Sequence, residues 1–248
     1  MDSLIPWIGG KKLLRDKIIA LFPSEFERYI EVFGGAGWVL FRKDKHANME
    51  VYNDFDGNLV NLFRCTKYHA GELQRELDFT LNSRELFRDY KEQLDMRGLT
   101  DIQRAARFFL LVRCSYGADR KTFSCATKPI LSAVERLHEV RQRLARVIIE
   151  SRDFEALICA YDRPSALFFC DPPYKGTEGY YDGFSGDDHN RLKEVLNGIK
   201  GRFILTYNDC KFIRDLYNGF NIHEVSRSNN LIARYNGGKY KELIITNG

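Results

Sequence analysis

The tetrapeptide Asp171-Pro172-Pro173-Tyr174 is the part of the sequence best suited to chemistry. Proline restricts the backbone and has no amide hydrogen, so the Asp171 carboxylate and the Pro172 carbonyl can both accept hydrogen bonds from one amino group. An aromatic amine is a poor nucleophile because its lone pair is delocalised into the ring. Two acceptors on its hydrogens would draw the nitrogen toward tetrahedral geometry, which frees the lone pair to attack a methyl donor.

Tyr174 adds an aromatic surface on which a base can stack. A base must leave a duplex before an enzyme can reach it, and stacking on an aromatic side chain offsets part of the cost of unstacking. A strand that simply ends at two prolines would explain the prolines but not the flanking Asp and Tyr. The four residues occur together by chance with a probability on the order of one in a thousand for a chain of this length, so we favour the chemical interpretation.

A glycine-rich turn, Gly34-Gly35-Ala36-Gly37, directly follows a predicted buried strand. Such a turn lets the backbone approach a ligand closely, and Asp54, at the end of the next predicted strand, can accept hydrogen bonds from ribose hydroxyls. The turn by itself is also compatible with plain backbone geometry. Leu40 stands where the last glycine of the dinucleotide pattern GxGxxG would be, and no phosphate-binding pattern follows. The sequence therefore predicts a nucleoside ligand without phosphates.

The elements that must position these residues alternate between strands and helices. Short strands are predicted over residues 29–33, 49–54, 147–150, 166–170 and 203–207, with a final pair around the Gly237-Gly238 turn. A helix is predicted over residues 187–199. This alternation indicates an α/β fold with a mostly parallel sheet.

Residues 59–147 show helical periodicity between the second and third predicted strands. Ser132-Ala133-Val134-Glu135 has the form of a capping box that opens a helix. The stretch 113–128 is rich in Ser, Gly, Thr and Lys, which predicts a hairpin or loop. We therefore divide the chain into a domain of residues 1–58 and 148–248 and a helical insertion of residues 59–147.

Composition excludes few functions. With 38 basic and 34 acidic residues, the net charge of +4 permits nucleic-acid binding without establishing it. Basic residues are dense between Arg97 and Arg152, which suits a phosphate backbone but also a solvated helix face. No apolar run has the length of a membrane helix and no signal peptide is recognisable, so we expect a soluble cytoplasmic protein. The six cysteines form no CxxC pair, so we expect neither disulfides nor a metal site.

The motifs and their order resemble the Dam-type (D12 class) DNA adenine methyltransferases of bacteria and phages over nearly the whole chain. Trp7-Ile8-Gly9-Gly10-Lys11 resembles the family's WxGGK element, Phe33 to Gly37 its FxGxG cofactor loop, Asn53-Asp54 its ribose-binding acid and Asp171 to Tyr174 its catalytic DPPY. The resemblance implies a Rossmann-like class I methyltransferase sheet with an inserted, mostly helical target-recognition subdomain. It also implies that a methyl group passes from S-adenosyl-L-methionine to the N6 amine of a flipped-out adenine in double-stranded DNA.

The resemblance assigns residues to three groups. The catalytic residues are Asp171, Pro172, Pro173 and Tyr174. The cofactor-binding residues are Trp7, Lys11, Phe33, Gly35, Gly37, Asp54, Asp153 and Asp171. The DNA-binding residues, in the insertion between the two motifs, are Arg113, Ser115, Tyr116, Arg120 and Lys121. This stretch carries a shorter run of Arg, Asn and Gly than the hairpin of GATC-reading members, so the resemblance does not imply GATC specificity. We expect a monomer and a link to restriction-modification.

Other functions stay open. The nearest are methylation of cytosine N4, of an RNA adenine or of a protein glutamine. Asp171 favours adenine, because cytosine-directed relatives more often resemble SPPY and glutamine-directed ones NPPY. A catalytically silent DNA-binding relative is a second alternative, although the expected catalytic positions are all filled. A nicotinamide-dependent oxidoreductase is opposed by the missing last glycine.

Overall fold

The structure is a computed structural model that describes residues 1–94, 96–125, 130–178, 183–228 and 239–248. The strands are β1 (Arg28–Glu31), β2 (Met49–Asn53), β3 (Val147–Glu150), β4 (Ala166–Cys170), β5 (Arg202–Asn208), β6 (Asn221–Ser228) and β7 (Lys239–Thr246). The described part of the chain thus forms one sheet in the order β3-β2-β1-β4-β5-β7-β6. Strands β1 to β5 pair in parallel, and β7 runs antiparallel to both β5 and β6.

The helices are α1 (Arg15–Ala20), α2 (Gly57–Tyr68), α3 (Ala70–Asp78), α4 (Arg84–Gln93), α5 (Asp101–Cys114), α6 (Ile130–Val134), α7 (Leu137–Leu144), α8 (Phe154–Tyr161), α9 (Asp188–Gly198) and α10 (Lys211–Leu216). The expected Rossmann-like α/β fold of the class I methyltransferases is confirmed, as are the predicted strands and the helix near residues 187–199. The turn at Gly237-Gly238 between the final two strands lies outside the described residues.

The carboxyl ends of β1 and β4 lie side by side at the point where the strand order reverses. From β1 the chain adds β2 and β3 on one side, and it then adds β4 and β5 on the other. Sheets of this kind bind ligands in the crevice outside the carboxyl ends at this reversal. The glycine turn directly follows β1 and the Asp-Pro-Pro-Tyr segment directly follows β4. The topology therefore brings the two motifs together although more than a hundred residues separate them in the chain.

The helical block, α2 to α7, occupies the interval between β2 and β3, as the periodicity predicted. Its apolar residues form one continuous core with residues on one face of the sheet, such as Tyr52, Leu167 and Phe169. The other face is covered by α8, α9 and α10 through residues such as Leu157 and Leu192. Because both faces are buried, β4 is apolar along its whole length. The division into two domains stays a prediction.

A buried ion pair fastens the helical block to the sheet. Arg143 on α7 donates two hydrogen bonds of 2.7 Å to the two carboxylate oxygens of Glu50 on β2. Arg143 also donates to the backbone carbonyls of Lys43 and Leu40. A buried guanidinium and carboxylate are tolerated when each is paired and hydrogen-bonded. The contact sets the position of the block relative to the strands that carry the candidate site.

The predicted helix start at Ser132 is wrong, because Ser132 lies inside α6. A capping residue must stand before the helix in a non-helical conformation. The capping box is found instead at the start of α5, where Thr100 and Gln103 exchange side-chain-to-backbone hydrogen bonds. Among the helices of the described ranges, we find none with the length and apolar character needed to cross a bilayer.

Candidate active site

A cleft of about 980 Å³ opens at the carboxyl ends of β1, β2 and β4. Ligand pockets in proteins typically enclose roughly 300 to 1,000 Å³, so this cleft has room for more than one small group. Its lining includes most of the residues that the sequence singled out: Trp7, Lys11, Phe33, Gly35, Asp54, Asp153, Asp171, Pro172, Pro173 and Tyr174. The fold therefore brings together the two motifs, the N-terminal segment and the loop after β3.

The glycine turn contacts the Asp54 side chain through the backbone amide of Gly35. Gly35 has a positive φ of 50°, and a Cβ there would lie 2.9 Å from the Trp7 ring. Gly37 also has a positive φ, of 68°, and a Cβ there would meet the Phe41 ring at 2.8 Å. Glycine adopts such backbone angles without the strain of a side chain. Gly37 is not among the residues that line the cleft, so its place in this structure is to shape the turn behind it.

The Asp54 carboxylate is held as a hydrogen-bond acceptor at the end of β2. Its two oxygens accept hydrogen bonds from the backbone amides of Gly35 (2.8 Å) and Asp56 (2.9 Å). Removal from solvent raises the pKa of Asp54 to about 6, although these two hydrogen bonds oppose the rise. Above that pH the group is a carboxylate with lone pairs for hydroxyl groups of a ligand in the cleft.

Asp171 is fixed through one of its two carboxylate oxygens. Its Oδ1 lies 2.7 Å from the Lys11 ammonium and accepts a 2.6 Å hydrogen bond from the Thr206 hydroxyl on β5. No other described residue bonds to the Asp171 side chain, which is 17% exposed, so Oδ2 is available as an acceptor. Burial raises the pKa of Asp171 above its ordinary value, and the Lys11 ammonium opposes that rise. Lys11 itself is only 4% exposed and also donates to the Gly9 carbonyl.

Tyr174 lies beside this pair. The Lys11 Nζ atom is 4.8 Å from the centre of the Tyr174 ring, and the Tyr174 hydroxyl donates a hydrogen bond to Glu242 on β7. The Tyr207 ring lies 6.0 Å from the Tyr174 ring. Thr206 and Glu242 belong to no motif recognisable in the sequence, so the sequence did not predict the hydrogen bonds that they form with Asp171 and Tyr174.

Aromatic side chains form another part of the cleft. The rings of Phe33, Phe154 and Phe184 lie 5.7 to 5.9 Å from one another, and all three residues line the cleft. Phe55, directly after Asp54, lines the cleft while about half of it stays exposed. Flat apolar faces of this kind suit a purine ring. Sequence patterns did not identify Phe55, Phe154 or Phe184, because these side chains meet only when the loops after different strands converge.

The carboxylate of Asp153 already has partners. Its Oδ1 caps the start of α8 by accepting from the backbone amide of Glu155 at 3.0 Å, and its Oδ2 accepts from the Arg191 guanidinium. Arg191 also lies over the Phe154 ring at 4.1 Å from the ring centre. Asp153 therefore lines the cleft while it serves as a helix cap.

The stretch predicted as a hairpin or loop is a short hairpin over residues 114–124. Ser115 and Phe123 form an antiparallel bridge, and hydrogen bonds of 2.8 Å join Tyr116 to Thr122 and Ser124 to Cys114. Residues 126–128 of the predicted stretch lie outside the described residues. Arg120, near the tip, lines the cleft, pairs with Asp56 at 2.6 Å and lies 5.2 Å over the Trp7 ring.

The other proposed DNA-binding residues lie at different depths. Tyr116 is 61% exposed and Lys121 is also exposed, so both are on the surface of the hairpin. Ser115 is buried and its hydroxyl donates to a backbone carbonyl. Arg113 lines a smaller indentation beside Arg136, donates to the Leu4 carbonyl and has a pKa lowered by burial. The structure thus brings Arg120 to the cleft but not Arg113 or Ser115.

The described residues contain no group of three or more His, Cys, Asp or Glu side chains placed to hold a metal ion.

Comparison with known proteins supplies the family. The family model of the D12 class N6 adenine-specific DNA methyltransferases matches residues 7–231. The chain is 27% identical to the type II methyltransferase M1.LlaDCHI of Lactococcus lactis subsp. cremoris, over 97% of the chain and 93% of the relative. It is 26% identical to the DNA adenine methylase of Haemophilus influenzae (97% and 91% covered) and 25% identical to the retron Ec67 DNA adenine methylase of Escherichia coli (91% and 84% covered). Since the family model extends over most of a chain that has the expected sheet and cleft, the chain belongs to the D12 class of N6 adenine-specific DNA methyltransferases.

Proposed function

We propose that this methyltransferase uses S-adenosyl-L-methionine to methylate the N6 amine of an adenine flipped out of double-stranded DNA, and that Asp171 acts on the amine. The observation that carries the proposal is the Asp171 carboxylate in the cleft. Its Oδ1 is fixed by Lys11 and Thr206, and its Oδ2 is available to a ligand. A carboxylate held in this way is pre-organised to accept a hydrogen bond from an amino group.

The residues around the cleft fit a nucleoside cofactor. Asp54 offers carboxylate oxygens to ribose hydroxyls, Gly35 lets the backbone approach the ligand, and the half-exposed Phe55 offers an aromatic face to an adenine ring. When bound, the cofactor supplies an electrophilic methyl group. Trp7 and Lys11, which also line the cleft, extend this binding surface toward Asp171.

The chain's own groups then act on the target amine. Asp171 Oδ2 and the Pro172 carbonyl accept hydrogen bonds from its two N–H groups, which orients the nitrogen lone pair. As positive charge develops on the nitrogen, the ionised Asp171 carboxylate stabilises it, and the charge is lost when the methylated amine releases one of its protons. The Tyr174 ring stacks on the flipped base and replaces part of the stacking that the base loses on leaving the duplex.

The function is tested by expressing the protein in cells that lack adenine methylation and sequencing their DNA for modified bases. We expect N6-methyladenine in one recurring sequence context. Cells that express Asp171→Asn provide the matched background. Modified cytosine in place of modified adenine would assign a different base, and unmodified DNA from cells that contain the folded protein would overturn the proposal.

The affinity for the demethylated cofactor, S-adenosylhomocysteine, should weaken as the pH falls through about 6. The pKa of Asp54 is raised to about 6, so below that pH the carboxyl is protonated and loses its charge-assisted hydrogen bonds. Calorimetry between about pH 5 and pH 8 measures the effect over the range in which this carboxyl titrates. Asp54→Ala should bind more weakly by roughly 1.5 to 3 kcal/mol at high pH and show little pH dependence. An unchanged pH dependence in that variant would place the responsible acid elsewhere.

Two hairpin residues should contribute to DNA binding in different ways. Lys121→Ala should weaken binding to all sequences alike and reduce the salt slope by about one unit, as expected for an exposed lysine on a phosphate. Arg120→Ala should cost roughly 1 to 3 kcal/mol at one position of the recognition site. Lys200→Ala, an exposed lysine next to the amino end of β5 and so at the opposite edge of the sheet, is the control. If both hairpin variants match this control in affinity, sequence preference and salt dependence, recognition lies elsewhere.

A further inference from the structure

We infer that Glu242, on β7, is a positioning residue for methyl transfer, because its buried carboxylate holds the hydroxyl of Tyr174 and so fixes the direction of the Tyr174 ring. The inference rests on the proposed role of Tyr174 as the surface on which the target base stacks. It extends that role to a strand near the end of the chain, far in sequence from both motifs.

Glu242 is a charged residue where the fold would otherwise favour an apolar one. It is 1% exposed, and the residues that follow it on β7, Leu243 to Ile245, are buried and apolar. In the sheet it pairs with Asn208 on β5 and Val225 on β6. A buried carboxylate is costly unless it is paired and hydrogen-bonded. The Tyr174 hydroxyl supplies a hydrogen bond, and the Lys11 ammonium, 3.9 Å away, supplies an opposite charge.

Within the described residues, strand β5 also holds the segment after β4 at two further points. Thr206 on β5 donates to Asp171 at 2.6 Å. Asn208, also on β5, accepts from the backbone amide of Lys175 at 3.1 Å and donates to the Lys175 carbonyl at 3.2 Å. These two contacts fix the segment at Asp171 and just beyond Tyr174. The contact with Glu242 acts on the side chain of Tyr174 itself.

The orientation of the Tyr174 ring matters because the target base stacks on it, so the ring determines where the base and its reactive amine lie. Asp171 and Tyr174 both contact Lys11. The three side chains form one cluster, which sets the position of the Tyr174 ring relative to the Asp171 carboxylate. An amine displaced by about 1 Å from an aligned attack can lose about 100-fold in rate. A tyrosine ring can tilt on its two side-chain torsions, and a hydrogen bond at the hydroxyl end of the ring restricts that tilt.

The test is a double-mutant cycle read by single-turnover methyl transfer. Glu242→Leu should lower the rate by about 10- to 100-fold, because the ring loses its anchor. Glu242→Gln should recover most of the rate, since its amide oxygen can accept the same hydrogen bond. Tyr174→Phe keeps the ring but not the hydroxyl, so it should lose about as much as Glu242→Leu. Combining Tyr174→Phe with Glu242→Leu should then add little further loss, because residues that act through one contact are not additive.

Three measurements separate positioning from structure. The affinity for S-adenosylhomocysteine and the melting temperature should change little in Glu242→Gln. Fluorescence of 2-aminopurine in place of the target adenine should increase in Glu242→Leu when stacking is lost. Glu224→Leu, which removes an exposed glutamate on the adjacent strand β6, should stay within about twofold of the wild type, as expected for a surface substitution.

The outcomes are distinct. If Glu242→Leu does not fold, the cycle is run with Glu242→Met, which keeps an unbranched side chain without a carboxylate, and Tyr174→Phe, where the double variant should again match Tyr174→Phe. Losses that multiply in the double variant, or a Glu242→Gln variant as slow as Glu242→Leu, overturn the positioning role while wild-type turnover keeps the proposed function. A wild-type protein that binds DNA and cofactor but transfers no methyl group overturns both.

Discussion

Replacing Asp171 with asparagine is expected to lower the single-turnover rate of methyl transfer by about 100-fold or more, the usual effect of losing a positioned charge-stabilising group. The variant has nearly the same shape, but its amide carries no negative charge to stabilise the nitrogen as it becomes cationic. One oxygen is also replaced by an NH₂ group, which donates hydrogen bonds where the amine needs an acceptor.

The measurement is methyl transfer to a DNA duplex that contains the recognised sequence, with enzyme in excess. Asp44→Asn, which changes an exposed aspartate, is the matched control and should be indistinguishable from the wild type. A similar melting temperature for Asp171→Asn would show that the fold survives. Retention of more than about a tenth of the wild-type rate would refute the assigned role, since such groups usually contribute about 100-fold.

Replacing Lys11 with methionine should have the second largest effect, on both pH dependence and stability. Lys11 lies 2.7 Å from Asp171 and opposes the rise in the Asp171 pKa that burial causes. Without the ammonium that pKa rises further, and Glu242, 3.9 Å from Lys11, leaves a second negative charge nearby. Asp171 must be ionised to act, so the acid limb of the rate profile should shift to higher pH.

The stability of Lys11→Met should also depend on the raised pKa of Asp171. A carboxyl whose folded-state pKa is raised destabilises the folded protein when it is ionised, so the free energy of unfolding of Lys11→Met should fall as the pH rises through that pKa. Breaking a buried pair on one side typically costs about 3 to 5 kcal/mol, and the partial exposure of Asp171 places the expected loss near the lower end. Urea denaturation at two pH values measures it. The double variant Lys11→Met with Asp171→Asn should regain most of the loss. An acid limb unchanged from the wild type would show that Lys11 does not tune Asp171.

The elements were predictable because their signals are local. Strand β4 is five consecutive apolar residues that end at Asp171, and the helical block shows its period over many turns. The cleft residues of the two motifs were predictable because glycine widens and proline restricts the range of backbone conformations at any position in a chain. Given a parallel sheet, the chain order of the strands also indicates that two such turns meet at its carboxyl edge.

The sequence by itself thus determined the α/β fold, the family and the two turns that form the centre of the cleft. Tertiary structure alone decided which partners complete that site. Thr206, Glu242 and Phe184 carry no local signal, because their roles depend on contacts with residues far away in the chain. For the same reason, the sequence did not reveal that Ser115 is buried rather than exposed to DNA, or that Gly37 shapes the turn without lining the cleft. Backbone preference and apolar periodicity act within a few residues, whereas burial and the pairing of polar groups are settled only when distant strands and loops pack together.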